Sequence, residues 1–171
     1  MRIGRTLPPA AAPLSLSDLL YGFKAQFDRQ HTLLDIQFSF CKHFNMKYTF
    51  FTSSGKAALS LLLQALSEMQ PERNLVVIPA FNCYSVPSAI AHAKLSAIVC
   101  ETDADTLQFN IKALKKILEK PEKILAIIPT HFFGIPSNIQ AVKSLLQSYT
   151  DIAIIEDAAQ VMGSEINGTL L

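Results

Sequence analysis

The sequence is poor in charge, cysteine and glycine-rich turns. Only 17% of its 171 residues are charged and the net charge is +1, with the basic residues scattered. That leaves no electrostatic footprint for nucleic acid or an acidic lipid surface. The three cysteines, Cys41, Cys83 and Cys100, form no CxxC pair and no metal-ligand spacing with His31, His43, His92 or His131. This excludes the familiar zinc and redox motifs. An odd cysteine count with no recognisable signal peptide predicts a reducing, cytoplasmic setting. There is no GxGxxG, so a plain dinucleotide-binding domain lacks its fingerprint. The stretch 74–93 carries no Lys, Arg, Asp or Glu, but Pro79, Pro87, Asn82 and Ser85 argue against a membrane helix.

Half of the residues are apolar, enough for a substantial core in a chain of this length. Residues 1–47 read as a Pro/Ala-rich arm (MRIGRTLPPAAAPL) and two helices, over 14–30 and 33–45, with Ser15 or Ser17 capping the first. Residues 48–171 read as a separate part. It opens on a short β-rich run at 48–52 and then alternates. A helix over 55–69 precedes LVVIP (75–79). A short helix at 85–92 precedes SAIVC (96–100). A helix at 111–120 precedes ILAIIP (124–129), and one at 137–148 precedes DIAIIED (151–157). Short apolar β-rich runs between amphipathic helices predict an α/β fold, a three-layer sandwich around a mostly parallel sheet. Ligands of such sheets sit at the carboxyl ends of the strands. Four tails could meet there: SSGKAAL, PAFNCYS, PTHFFG and EDAAQ.

SSGKAAL has the look of a phosphate-binding turn. It is not a nucleotide P-loop, because Phe50 and Ala57 stand where that motif needs Gly and Ser or Thr. What remains for Ser54, Gly55, Lys56 and Ala57 is either a backbone cradle for some other phosphate or a serine-capped helix start. Asp157 is open to two readings: an acid pairing with a protonated ring nitrogen, or an N-cap for the segment that follows. Gln160, three residues on, is its same-side companion, a capping-box partner or a surface residue. His131 and Cys83 are each open to a site role or to a structural one.

Taken together, SSGKAALSLLL, VVIPAFNCYSVPSAI, PTHFFGIPSN and IIEDAAQVMGS resemble the DegT/StrS-type sugar aminotransferases, fold-type-I enzymes dependent on pyridoxal 5'-phosphate (PLP). The resemblance runs from about Tyr48 to Gly168. It implies that the Ser54–Gly55–Lys56–Ala57 turn binds the PLP phosphate and that Asp157 holds the pyridine nitrogen protonated. Gln160 would bond the ring's 3'-oxygen, and His131 would lie where a strand tail nears the cofactor. Cys83 occupies the place where many members stack an aromatic ring, and Lys56 the place where many have Thr. The family's Schiff-base lysine, and its small C-terminal domain, have no counterpart here: no lysine follows Lys143. The resemblance therefore implies the first half of an aminotransferase, inactive alone. The whole enzyme would be a homodimer moving an amino group from an amino acid such as glutamate to a nucleotide-linked keto sugar. A non-catalytic PLP- or phosphate-binding regulator and a gene remnant are the alternatives.

Overall fold

The computed structural model describes residues 14–166 and 169–170. The N-terminal arm expected at 1–13 lies outside them. The chain divides after Phe51 into two compact units.

The first unit holds α1 (Leu16–Ala25) and α2 (Arg29–His43). Ser15, not Ser17, starts α1. Its hydroxyl accepts from the Asp18 N–H while Asp18 accepts from the Ser15 N–H, a reciprocal capping box. Asp28 caps α2 by a single bond, its carboxylate accepting from the His31 N–H. Neither helix buries a residue. The β-rich run expected at 48–52 forms no strand. A β-prone segment becomes a strand only if its backbone meets another strand's. Here Thr49 bonds instead to α2: its carbonyl accepts from Gln37 Nε2 at 3.2 Å, and its hydroxyl lies 3.1 Å from Cys41 Sγ.

The second unit is the α/β part. It contains α3 (Gly55–Met69), β1 (Leu75–Pro79), α4 (Ser85–His92), β2 (Ser96–Cys100), α5 (Ile111–Ile117), β3 (Ile124–Ile127), α6 (Ile139–Leu145) and β4 (Ala153–Ile154). The four strands form one parallel sheet in the order β2-β1-β3-β4. A two-residue antiparallel pair, Glu165–Ile166 with Thr169–Leu170, follows and has no signal in the apolar pattern.

The sheet is covered on both sides. Leu63 of α3 and Val86 and Ile90 of α4 join Val76, Ile78, Leu125 and Ile128 in one core. Leu114 of α5 and Val142 of α6 join Val77, Ile124, Ile127 and Ile152 in the other. The alternation along β1, Val76 and Ile78 to one side and Val77 to the other, is the period-2 pattern of a strand buried on both faces. On β3 the alternation slips once, Leu125 and Ala126 both joining the α3/α4 core, where the register against β1 shifts between Leu75 and Val76.

Strand order positions the site. From β1 the chain crosses to β2 on one flank, then returns past β1 to β3 and on to β4. The direction of winding reverses between β1 and β3, and the crevice outside their carboxyl ends is where such sheets bind ligands. The orientation of α3 follows from its exit. Only five residues separate Met69 from β1, and Gln70 reaches back to the Asp151 carbonyl (3.0 Å) at the amino end of β4. Helix α3 therefore runs against the strands. Its fifteen residues span roughly 22 Å, while β1 covers only about 16 Å, which carries its N-terminus to the carboxyl-end rim.

Candidate functional site

Four segments end at that rim. The first is the start of α3. The Ser54 hydroxyl accepts from the Ala57 N–H (3.2 Å) and the Ser54 carbonyl accepts from the Ala58 N–H (3.0 Å). Among the described residues no acceptor meets the N–H of Gly55 or Lys56. These two donors, at the positive end of a fifteen-residue dipole, form the opening for an anion. A Cβ built on Gly55 would touch nothing within 4 Å, and its φ is not in the left-handed region. Neither packing nor backbone conformation requires glycine there.

The second segment follows β4. Its extended course continues past Ile154, with Ile155 N–H bonded to the Ile127 carbonyl (3.0 Å) and Asp157 N–H to that of Pro129 (3.0 Å). Ile154 belongs to the α5/α6 core and Ile155 to the α3/α4 core. Alternation then turns Asp157 toward the α3 side and Glu156 toward the α6 side. Asp157 is half-buried; its Oδ1 accepts from the Ala159 N–H at 3.3 Å. That is a local turn, and no helix follows it, so neither a helix N-cap nor a capping box with Gln160 forms. Gln160 instead reaches across to the β3 tail, where its Oε1 accepts from the Phe133 N–H at 2.7 Å. This bond fixes the amide: the Gln160 NH₂ remains as a donor.

The third segment, the β3 tail, separates two neighbours. Thr130 is the cross-strand partner of Asp157. His131 points the other way and does not share the Asp157 side of the sheet, because successive strand residues face opposite sides. Its ring is 1% exposed. Nδ1 accepts from the Ser137 N–H (2.8 Å), and Nε2 lies 3.9 Å from Glu156, which also faces Lys143 of α6 at 3.7 Å. Burial holds the His131 pKa below its ordinary value, against the pull of the Glu156 and Asp157 carboxylates. His131 thus anchors the 131–137 turn rather than facing the α3 cradle. That turn is tight: Ile135 N–H bonds the Phe132 carbonyl at 2.7 Å, with Phe133 (φ 54°) and Gly134 (φ 78°) both left-handed.

The fourth segment follows β1. Cys83 is exposed just before α4. Hydrogen bonds from the Ser85 hydroxyl (3.1 Å to Sγ) and the Ser85 backbone hold its thiol below the ordinary value; slight burial and the Asp157 carboxylate push back. Cys83 therefore sits within the field of Asp157. Tyr84 is 84% exposed at the start of α4. Phe81 packs edge-on against Phe132 (5.0 Å between ring centres) and lies near Phe133 (6.3 Å). This aromatic wall at the β1/β3 crevice, and Thr130 beside Asp157, carry no titratable group or motif that would have drawn notice to them in the sequence.

A family model for the DegT/DnrJ/EryC1/StrS aminotransferases matches residues 26–170. The chain belongs to this family. Solved structures share its fold. One is 3-amino-5-hydroxybenzoic acid synthase (TM-score 0.80, 21% identity over 94% of this chain and 42% of that one). Another is the E. coli GDP-4-keto-6-deoxy-D-mannose-3-dehydratase with bound hydrated PLP (0.78, 20%, 97% and 44%). A third is a Helicobacter pylori aminotransferase involved in the biosynthesis of pseudoaminic acid (0.72, 17%, 81% and 36%). The chain spans less than half the length of these proteins. The DegT/DnrJ/EryC1/StrS family is PLP-dependent.

The residues present fit that cofactor. A phosphate needs the two open N–H groups at Gly55 and Lys56. A pyridinium needs a carboxylate such as Asp157, and a phenolic oxygen needs a donor such as the free NH₂ of Gln160. Among the described residues no helix is long and apolar enough to cross a membrane.

Proposed function

We propose that this chain is the cofactor-holding part of a PLP-dependent sugar aminotransferase. The whole protein would move an amino group from an amino acid such as glutamate to a nucleotide-linked keto sugar, as a homodimer in the cytoplasm. The observation that carries the reading is an open helix N-terminus at the carboxyl-end rim of the sheet together with a half-buried carboxylate, on the β4 tail, turned toward the same side of the sheet. An anion at one end and a cation at the other is the charge pattern of a phosphorylated pyridinium.

PLP supplies an electron sink that lets the amino group change carriers. The chain's residues hold it in place. The Gly55 and Lys56 N–H groups bind the phosphate, with Ser54 fixing the first turn of α3 and the Ala57 N–H already bonded to the Ser54 hydroxyl. Lys56, exposed in that turn, adds positive charge beside the anion. Asp157 accepts from the ring nitrogen and keeps its proton there. Gln160, aligned by the Phe133 N–H, donates to the 3'-oxygen. Cys83 borders the ring without an aromatic face to stack on it; Phe81 and Phe133 are the aromatic groups beside this crevice.

The test is calorimetric titration with pyridoxamine 5'-phosphate, which lacks the aldehyde and so does not react with surface lysines. Saturable binding at one site per chain is expected, competed by inorganic phosphate. Asp157→Asn should weaken it about tenfold or more, the loss of a charge-assisted hydrogen bond. No saturable binding, or equal binding by Asp157→Asn, would refute the reading.

A further inference from the structure

Thr130 presents a polar atom with nothing to do. The residue is 6% exposed, and its Oγ1 is buried with no hydrogen-bond partner among the described residues. Buried hydroxyls in native proteins are almost always bonded, and a valine would occupy the same space without an unsatisfied group. The exception calls for a reason, and its neighbour provides one.

Thr130 and Asp157 are paired across parallel strands. Asp157 donates its N–H to the Pro129 carbonyl (3.0 Å), and the His131 N–H donates to the Asp157 carbonyl (3.1 Å), which brackets Thr130 as the partner. Residues paired this way point to the same side of the sheet about 4.8 Å apart. One residue to either side the alternation reverses: His131 and Glu156, diagonal neighbours on the two strands, approach each other on the opposite face, with 3.9 Å between Nε2 and the carboxylate. A hydroxyl without an acceptor therefore stands beside a carboxylate short of donors. Asp157 receives one long bond, from Ala159 at 3.3 Å, although a carboxylate has room for about four. The other charged groups of this neighbourhood, Glu156 and Lys143, lie on the far side and pair with each other.

We propose that Thr130 is a positioning residue for Asp157: its hydroxyl donates to the Asp157 carboxylate when that carboxylate holds a protonated ring nitrogen, and so sets its direction. The proposal rests on the pyridine-nitrogen reading of Asp157 given above. A cation at the carboxylate draws it away from the weak Ala159 contact and leaves Thr130 as the donor that holds its other edge.

This role has a signature that simple packing lacks. In the ligand-free chain the unsatisfied hydroxyl is a liability; in the loaded chain it is an asset. Removing it should move stability and affinity in opposite directions. The full chain is compared as wild type, Thr130→Val and Thr130→Ser, by thermal melting without ligand and by calorimetric titration with pyridoxamine 5'-phosphate. Thr130→Val should raise the ligand-free midpoint by roughly 2–4 °C and weaken binding about tenfold. Thr130→Ser, which keeps the hydroxyl, should bind as the wild type does. If Thr130→Val fails to fold, Thr130→Ala against Thr130→Ser decides, with only the serine variant binding tightly. Wild-type affinity in Thr130→Val or Thr130→Ala overturns the proposal, and so does a serine variant as weak as these. A wild-type chain that binds no pyridoxamine 5'-phosphate overturns the cofactor reading itself, and this proposal with it.

Discussion

The pH dependence of stability should be governed, just below neutrality, by His131. Its ring is buried, its Nδ1 is the acceptor for the Ser137 N–H at 2.8 Å, and burial holds its pKa below the ordinary value of about 6.5. Protonation would place a charge in the interior and convert the acceptor into a second donor facing the Ser137 N–H. Glu156, 3.9 Å from Nε2, and Asp157 offset part of that cost, while Lys143 competes for Glu156. Because the unfolded chain takes up the proton more readily than the folded one, stability is full above about pH 6.5. It falls as the pH drops from there through the folded-state pKa, then levels off. For one proton the slope cannot exceed about 1.4 kcal/mol per pH unit, a loss of roughly 3–6 °C in melting midpoint per unit for a chain of this size. His131→Asn keeps an acceptor for Ser137 but cannot titrate. Urea denaturation of both proteins from pH 7.5 to 5 tests this. The wild type should lose stability over that window relative to the variant; parallel curves would refute the argument.

Two further outcomes follow from the same structure. Leu63 of α3 is fully buried between α3, α4 and the sheet, so Leu63→Ala should cost about 2–5 kcal/mol in chemical denaturation. A loss below 1 kcal/mol would mean that α3 does not pack as described. Gly134 has φ 78°, yet a Cβ there would meet nothing within 4 Å. Gly134→Ala should therefore cost only the conformational penalty of about 1 kcal/mol, read from the urea midpoint. It should also loosen the turn that presents the Phe133 N–H to Gln160, seen as faster hydrogen exchange at Phe133.

The sequence by itself determined the layers and nominated local features of the candidate site. Period-2 and 3.6-residue patterns are local, so α3, β1, α4 and β2 stand at the bounds their side chains predict. The open helix start at Ser54–Ala57 and the carboxylate at Asp157 were legible too, because capping chemistry and a charge at the end of an apolar run are both local signals. Tertiary structure decided the rest. The run at 48–52 has strand-forming residues but no strand beside it, and β4 is regular for only two residues because Pro129 has no N–H for the next rung, the two chains pairing again at Thr130 and Asp157. Whether a tail residue faces the site depends on strand register, which no single segment contains. The same shift of one position turns Thr130 toward Asp157 and His131 toward Glu156, although histidine is the residue whose chemistry attracts notice in the sequence. Gln160 likewise owes its orientation to a backbone N–H twenty-seven residues away. Composition can nominate a titratable group, but the partner that aims it comes from the chain's return across the sheet.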